Sequence, residues 1–142
     1  MTHEVLDRRV QPAEDPETAF FWTGGGVGVL RFACCDACDY YAHPPTPWCP
    51  RCLAPGMRPR PVDGTGTVMT YTVNVQQWTP GQQPYVIAVV ILDEQDDLRL
   101  TSNIVECDPA EVVIGMRVSV RFIPGDGVWF PVFVPLTEEE AH

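Results

Sequence analysis

The sequence contains no lysine: its nine basic residues are all arginine, set against nineteen carboxylates, and the formal charge is −10. A chain of that sign repels a polyphosphate backbone, so nucleic acid is not an expected partner. Long apolar runs are also missing. The longest, Val86 to Leu92, falls far below the roughly 20 residues a membrane-spanning helix needs, so no membrane insertion is expected. Acidic and arginine residues interrupt Met1 to Val10, which leaves no apolar segment for a secretory leader and points to a cytoplasmic protein. Serines and imidazoles are scarce too. The only serines are Ser102 and Ser119, and His3 and His142 stand at the ends, leaving His43 as the one internal imidazole. A Ser/His/Asp triad is thereby nearly excluded, and Gly24-Gly25-Gly26 with Gly28 completes neither a P-loop nor a dinucleotide fingerprint. No catalytic residue is assigned.

What is present is unevenly distributed along 142 residues, enough for one domain with a small satellite. Residues 1–30 carry a charge of −3, residues 31–61 +2, residues 62–135 −6, and three glutamates close the tail. The one positive segment also holds five of the six cysteines and seven of the fifteen prolines, which marks it as a separate unit. The expected organisation is a flexible N-terminus with a short helix (1–30), a cysteine-bearing ribbon (31–61), a strand-rich domain (62–136) and an acidic tail (137–142).

Cys35-Asp36-Ala37-Cys38 and Cys49-Pro50-Arg51-Cys52 form two C-x-x-C pairs ten residues apart. Each pair can present two thiolates from a tight knuckle to one tetrahedral zinc ion at Zn–S distances of about 2.3 Å. Disulfides, a redox dithiol and an iron site are the alternatives; a reducing compartment disfavours the first, and a redox motif needs only one pair. Four thiolates close the coordination shell, so the metal is expected to be structural and to supply much of the ribbon's stability. Cys34 lacks the two-residue spacing and reads as a bystander. His43 is a conceivable but less favoured ligand, and Cys107 reads as a small buried hydrophobe.

Asp15, Pro16 and Glu17 followed by Ala19, Phe20, Phe21 and Trp22 predict a two-turn helix capped by Asp15 and stopped at Gly24 to Gly26. A helix that short needs its aromatic side packed, on this chain or on a partner. Residues 1–14 show no periodicity and are expected to be poorly ordered. Beyond Gly64 the pattern becomes one of strands. Met69, Tyr71, Val73 and Val75 alternate with Val68, Thr70, Thr72 and Asn74, as in a strand with one buried face. Tyr85 to Leu92 is continuously apolar and predicts a strand covered on both faces. Leu98, Leu100 and Ile104 share a third strand, Val118, Val120 and Phe122 a fourth, and Val128 to Val134 a fifth in which Pro131 marks an edge or bulge. Asp108-Pro109-Ala110-Glu111 opens a short helix between the third and fourth. The Asp93 to Asp97 loop reads as solvated carboxylates. This element order is that of an OB-fold barrel, so the fold class is mainly β. Four tryptophans in so small a chain imply that at least one lies at an interface.

Phe21-Trp22-x-Gly24, Leu30-Arg31 before the first cysteine pair, Pro44-Pro45 before the second, Gly64-x-Gly66-x-Val68, Pro84-Tyr85-Val86, Ile114-Gly115-Met116-x-Val118 and Pro131-Val132-Phe133 together carry a resemblance. Over roughly residues 15–136 the chain resembles the zinc-ribbon/OB-fold proteins associated with acyl-CoA enzymes, most closely the companion subunit of a steroid side-chain aldolase. Asp39 departs from the glycine usual there after the second cysteine. The resemblance implies a rubredoxin-like zinc ribbon with Cys35, Cys38, Cys49 and Cys52 as ligands, and a non-catalytic subunit of a lyase complex. Its partner would be a thiolase-like enzyme that holds most of the acyl-CoA substrate and releases propionyl-CoA from a steroid side chain. A CoA-ester-holding or channelling subunit of a thiolase/acyltransferase or enoyl-CoA hydratase complex is the alternative, and an OB-fold nucleic-acid-binding protein, which the acidic barrel opposes, a remote one. Arg31, Arg51, Arg58 and Arg60 cluster in sequence and are expected to face solvent or pair with acids rather than to form an assigned CoA site.

Overall fold

The computed structural model describes residues 9–137. It is mainly β, with one short α-helix, a three-stranded antiparallel ribbon and a closed five-stranded barrel. In the ribbon, β1 (Leu30–Cys35) lies between β2 (Tyr41–Ala42) and β3 (Met57–Val62). The barrel comprises β4 (Thr65–Asn74), β5 (Tyr85–Leu92), β6 (Arg99–Ile104), β7 (Arg117–Pro124) and β8 (Trp129–Pro135) in the order β4-β5-β6-β8-β7, with β7 also pairing with β4. A single 3₁₀ turn, Pro109–Glu111, sits between β6 and β7, and the Asp108 carboxylate caps it by accepting the Ala110 N–H at 2.9 Å. This is the five-stranded OB-fold expected from the element order. No helix among the described residues is long and apolar enough to cross a membrane.

The strands depart from simple alternation where the barrel must bend. Val68 pairs with Val90 and Thr70 with Val89, so Met69 is an extra residue at a bulge. The bulge shifts the phase of the inward face: Val68 lies in the core and Tyr71 and Val73 pack against it, while Val75 is 75% exposed. β5 is not covered on both faces. Val86, Ala88, Val90 and Leu92 point inward and are buried, whereas Tyr85, Ile87, Val89 and Ile91 are only half-buried on the barrel wall. A β-branched outer row gives the same continuous apolar run as a fully buried strand, which is why the pattern misleads. Pro131 is buried where β8 has separated from β6: the two strands pair only through Ile104 and Phe133, and the Pro131 carbonyl accepts the Ser102 hydroxyl at 2.6 Å. Its missing N–H therefore breaks no ladder bond between those strands.

The N-terminal helix is shorter than its sequence signals suggest. Asp15 starts a turn, accepting the Glu17 N–H on Oδ1 at 2.9 Å, but the regular helix α1 runs only over Ala19–Thr23 with Thr18 at its N-cap. Gly24 is the C-cap that ends the α-helix, as the sequence predicts. Gly24–Val27 continues as a 3₁₀ turn, and Gly28, at φ 73°, ends it. Gly25 serves close approach instead, because a Cβ there would lie 2.3 Å from Trp129 Cβ and 2.7 Å from the Phe122 ring. Gly25→Ala is expected to cost about 1–3 kcal/mol by forcing this turn off the barrel. An unchanged melting temperature would refute that contact.

The aromatic side of α1 packs within the chain. Phe21 is buried, with its ring 5.9 Å from Phe32 of β1 and 4.9 Å from Trp22, and Trp22 meets Phe130 of β8 at 5.8 Å. Residues 1–8 lie outside the described region, but residues 9–14 run along the barrel rather than away from it. Arg9 hydrogen-bonds Asn103 Oδ1 and stacks its guanidinium over Phe130 at 5.5 Å.

Asp93 to Asp97 is more than a solvated loop. Gln95 exchanges two 2.8 Å hydrogen bonds with the Tyr41 backbone, Tyr40 donates its hydroxyl to Asp97 at 2.7 Å, and Glu94 accepts the Asp63 N–H at 2.8 Å. Asp93 is held bidentately by Arg117 at 2.6 and 2.7 Å, a hydrogen-bonded pairing that keeps its carboxyl below the ordinary value. The β5–β6 loop thus clips the ribbon onto the barrel. Leu30, Phe32 and Val62 of the ribbon share one core cluster with Val68, Val86, Val90 and Phe133 of the barrel.

Candidate metal centre

Two knuckles of matching geometry build the site. In the first, the Cys35 N–H donates to the Tyr40 carbonyl and the Asp39 N–H to the Cys35 carbonyl, both at 2.9 Å; in the second, Cys49 with Ala54 and Leu53 with Cys49 repeat the pattern at 2.9 Å. Asp39 and Leu53, each one residue past the second cysteine of its pair, both adopt a left-handed backbone at φ 64°. Asp39 therefore makes the turn that the usual glycine would make, because aspartate tolerates this region. Leu53 does so against its preference while its side chain is 73% exposed. Leu53→Gly is expected to raise stability by about 1 kcal/mol by removing that strain, less the added chain entropy of glycine. A lowered melting temperature would show that Leu53 packs on something within the chain.

The four sulfurs Cys35, Cys38, Cys49 and Cys52 lie within 4.8 Å of one another. Cys35 Sγ stands 3.6 Å from Cys52 Sγ, and Cys38 Sγ 3.7 Å from Cys49 Sγ. A tetrahedron with Zn–S bonds near 2.3 Å has edges of about 3.8 Å, whereas a disulfide needs about 2.05 Å. The donor set therefore fits a tetrahedral thiolate-loving cation. Cys49 Sγ accepts the backbone N–H groups of Arg51 and Cys52 at 3.4 Å. The Cys52 N–H chiefly, with that of Arg51, pulls the Cys49 thiol down to about 6. Cys38 behaves oppositely: the Tyr40 backbone lowers it, but desolvation and its hydrogen bonds to Cys52, Cys49 and Cys35 outweigh that and push it up to about 12. Sulfurs this close resist ionising together unless a cation sits among them.

The neighbouring candidates fall elsewhere. Cys34 is buried outside the cluster, and burial first of all raises its thiol. His43 is a packing residue, stacked on Phe21 at 5.0 Å and edge-on to Phe32 at 5.1 Å, and burial lowers its imidazole from the ordinary value. Cys107 is half-buried, with burial raising its thiol. Three of the four ribbon arginines are engaged within the chain: Arg58 pairs with Asp36 at 2.5 Å, Arg60 with Asp39 at 2.9 Å, and Arg51 lies over the Tyr40 ring at 5.6 Å. Both ion pairs are solvent-exposed and screened, so they contribute little to stability. Sequence reasoning missed Gln95 and Arg9, whose roles depend on long-range contacts that leave no local pattern.

Ribbon, four-cysteine cluster and five-stranded barrel define a zinc-ribbon/OB-fold protein with a structural zinc site. Residues 22–58 match the family model described as the ChsH2 rubredoxin-like zinc ribbon domain, and residues 59–122 that of the ChsH2 C-terminal OB-fold domain. The chain belongs to the ChsH2 family. It is 34% identical over 134 residues to a probable enoyl-CoA hydratase alpha subunit of Thermomonospora curvata, covering 93% of this chain and 41% of that protein. Against the 3-oxo-4,17-pregnadiene-20-carboxyl-CoA hydratase alpha subunit of Mycobacterium tuberculosis it is 33% identical over 118 residues, covering 82% and 37%. The chain thus spans well under half the length of these two relatives. A solved structure described as the Ltp2-ChsH2(DUF35) aldolase superposes with a TM-score of 0.79 at 33% identity, covering 89% of this chain and 100% of that one.

Proposed function

We propose that this chain is a non-catalytic accessory subunit of a thiolase-like retro-aldolase that cleaves the side chain of steroid acyl-CoA thioesters and releases propionyl-CoA. In this reading Cys35, Cys38, Cys49 and Cys52 ligate the structural zinc, and the chain stabilises its partner and the partner's acyl-CoA site. The observation that carries it is the likeness to the chain of the Ltp2-ChsH2(DUF35) aldolase, which is covered over its whole length.

The surface supports a companion role. Trp78 and Val75 at the β4–β5 turn, Trp48 and Leu53 at the second knuckle, and Val113 and Ile114 before β7 are all more than half exposed. Exposed tryptophans of this kind are favoured anchors in protein interfaces. Trp22 and Trp129, by contrast, are partly covered within the chain.

The similarity to two hydratase alpha subunits favours a second reading, the CoA-ester-holding subunit of an enoyl-CoA hydratase complex. Co-expression with a thiolase-like enzyme from the same genome separates the two. The aldolase reading expects a stable heteromer that cleaves the steroid acyl-CoA ester, with neither chain active alone. Cleavage by the isolated chain at the rate of the pair would overturn it. A heteromer formed only with a hydratase-like chain, and hydrating an enoyl-CoA, would establish the second.

A further inference from the structure

A groove of ≈320 Å³ lies where α1, the ribbon and the barrel meet, in the size range of small-molecule sites. Its walls are largely apolar and aromatic, from Phe21, Trp22, His43, Leu100, Phe130 and Pro131. Thr18, Thr101 and Ser102 are among the polar lining residues, and among the described residues the only formally charged one is Arg9. Among the described residues no carboxylate lines it. In a chain of formal charge −10 this arginine stands apart from Arg58, Arg60 and Arg117, each of which has an acidic partner. The guanidinium of Arg9 has instead the neutral Asn103 Oδ1 and the face of Phe130, and its Nε–H is buried without an acceptor. Asn103 is itself buried and tied to the Val86 carbonyl at 2.8 Å, so it cannot turn to supply a second acceptor without losing that bond.

An uncompensated cation and an orphaned donor on an otherwise apolar wall call for an anion with an apolar body. We infer that this groove binds a small carboxylic acid as its anion, the carboxylate on the Arg9 guanidinium and the hydrocarbon body against Phe21, Trp22 and Phe130. A carboxylate suits the position because a planar guanidinium pairs with it by charge-assisted hydrogen bonds that neither the Asn103 amide oxygen nor the Phe130 ring face can match. The hydroxyl of Ser102 is committed to the Pro131 carbonyl, which leaves Arg9 as the recognising group. This inference is independent of the aldolase reading, since it concerns the chain by itself.

Calorimetric titration of the full-length zinc-loaded chain with octanoate, and with octanamide as the uncharged counterpart, tests it. Octanoate is expected to bind with a one-to-one stoichiometry and at least tenfold more tightly than octanamide. Arg9→Gln is expected to weaken octanoate by at least tenfold, whereas Arg58→Gln, on an exposed ribbon cation outside the groove lining, leaves it unchanged. Thr101→Trp, which fills the groove and keeps Arg9, is expected to abolish binding of both. No octanoate binding at 10-millimolar-order concentrations, equal binding of acid and amide, or undiminished binding to Arg9→Gln would each overturn the inference.

Discussion

Cys49→Ser is expected to leave the chain without stoichiometric zinc and to unfold both knuckles. Cys49 is wholly buried, its sulfur accepts two backbone N–H groups, and its thiol lies near 6, so it is the sulfur best prepared to meet a cation as a thiolate. Structural zinc supplies about 10–16 kcal/mol of apparent binding energy in small ribbons and fingers, which folding of a unit this size draws upon. Metal analysis of the purified chain should give about one zinc for the native sequence and a fraction of that for the variant. Amide exchange should show lost protection at Asp39 and Leu53, whose N–H groups close the knuckles. Cys34→Ser, at a buried cysteine outside the cluster, is expected to keep full zinc. A Cys49→Ser chain with full zinc and protected knuckles would remove this site from the account of the fold.

Phe32→Ala is expected to destabilise the whole molecule, not the ribbon alone, by about 3–5 kcal/mol. Phe32 is on the ribbon strand β1, fully buried, yet it belongs to the same core cluster as Val68, Val90 and Phe133 of the barrel. It also meets Phe21 of α1 and the edge of His43. One side chain therefore joins helix, ribbon and barrel, and truncating it opens a cavity at their junction. Thermal unfolding should move down by on the order of ten degrees or more as a single transition. Zinc content should stay near one, since no ligand is touched. A loss below about 1 kcal/mol would mean that the ribbon docks loosely on the barrel and that the shared core contributes little.

These two residues illustrate what could be read in advance. Cys49 was identifiable because C-x-x-C spacing is a local code: two sulfurs from one knuckle have a fixed geometry whatever surrounds them. The strand count and the Pro109 turn were equally local. The β4 phase was not, since the bulge at Met69 arises from closing the barrel and reverses a pattern that looks regular in sequence. Gly24 to Gly26 carried the sign of a helix stop, yet Gly25 is shaped by Trp129 and Phe122, more than ninety positions away. The acidic loop read as solvent-facing because nothing in its own residues reveals that Gln95 will meet Tyr41.

By itself, then, the sequence determined the two cysteine pairs that the fold gathers into one cluster and the mainly β class, both of which depend on residue type and short spacing. Only the tertiary structure decided how the units join. It placed the β5–β6 loop against the ribbon, drew Phe32 into the barrel's core and left Arg9 without an acid at the edge of an aromatic groove. Contacts of that kind form between residues whose separation in the chain carries no period, so they exist only once the fold has brought them together.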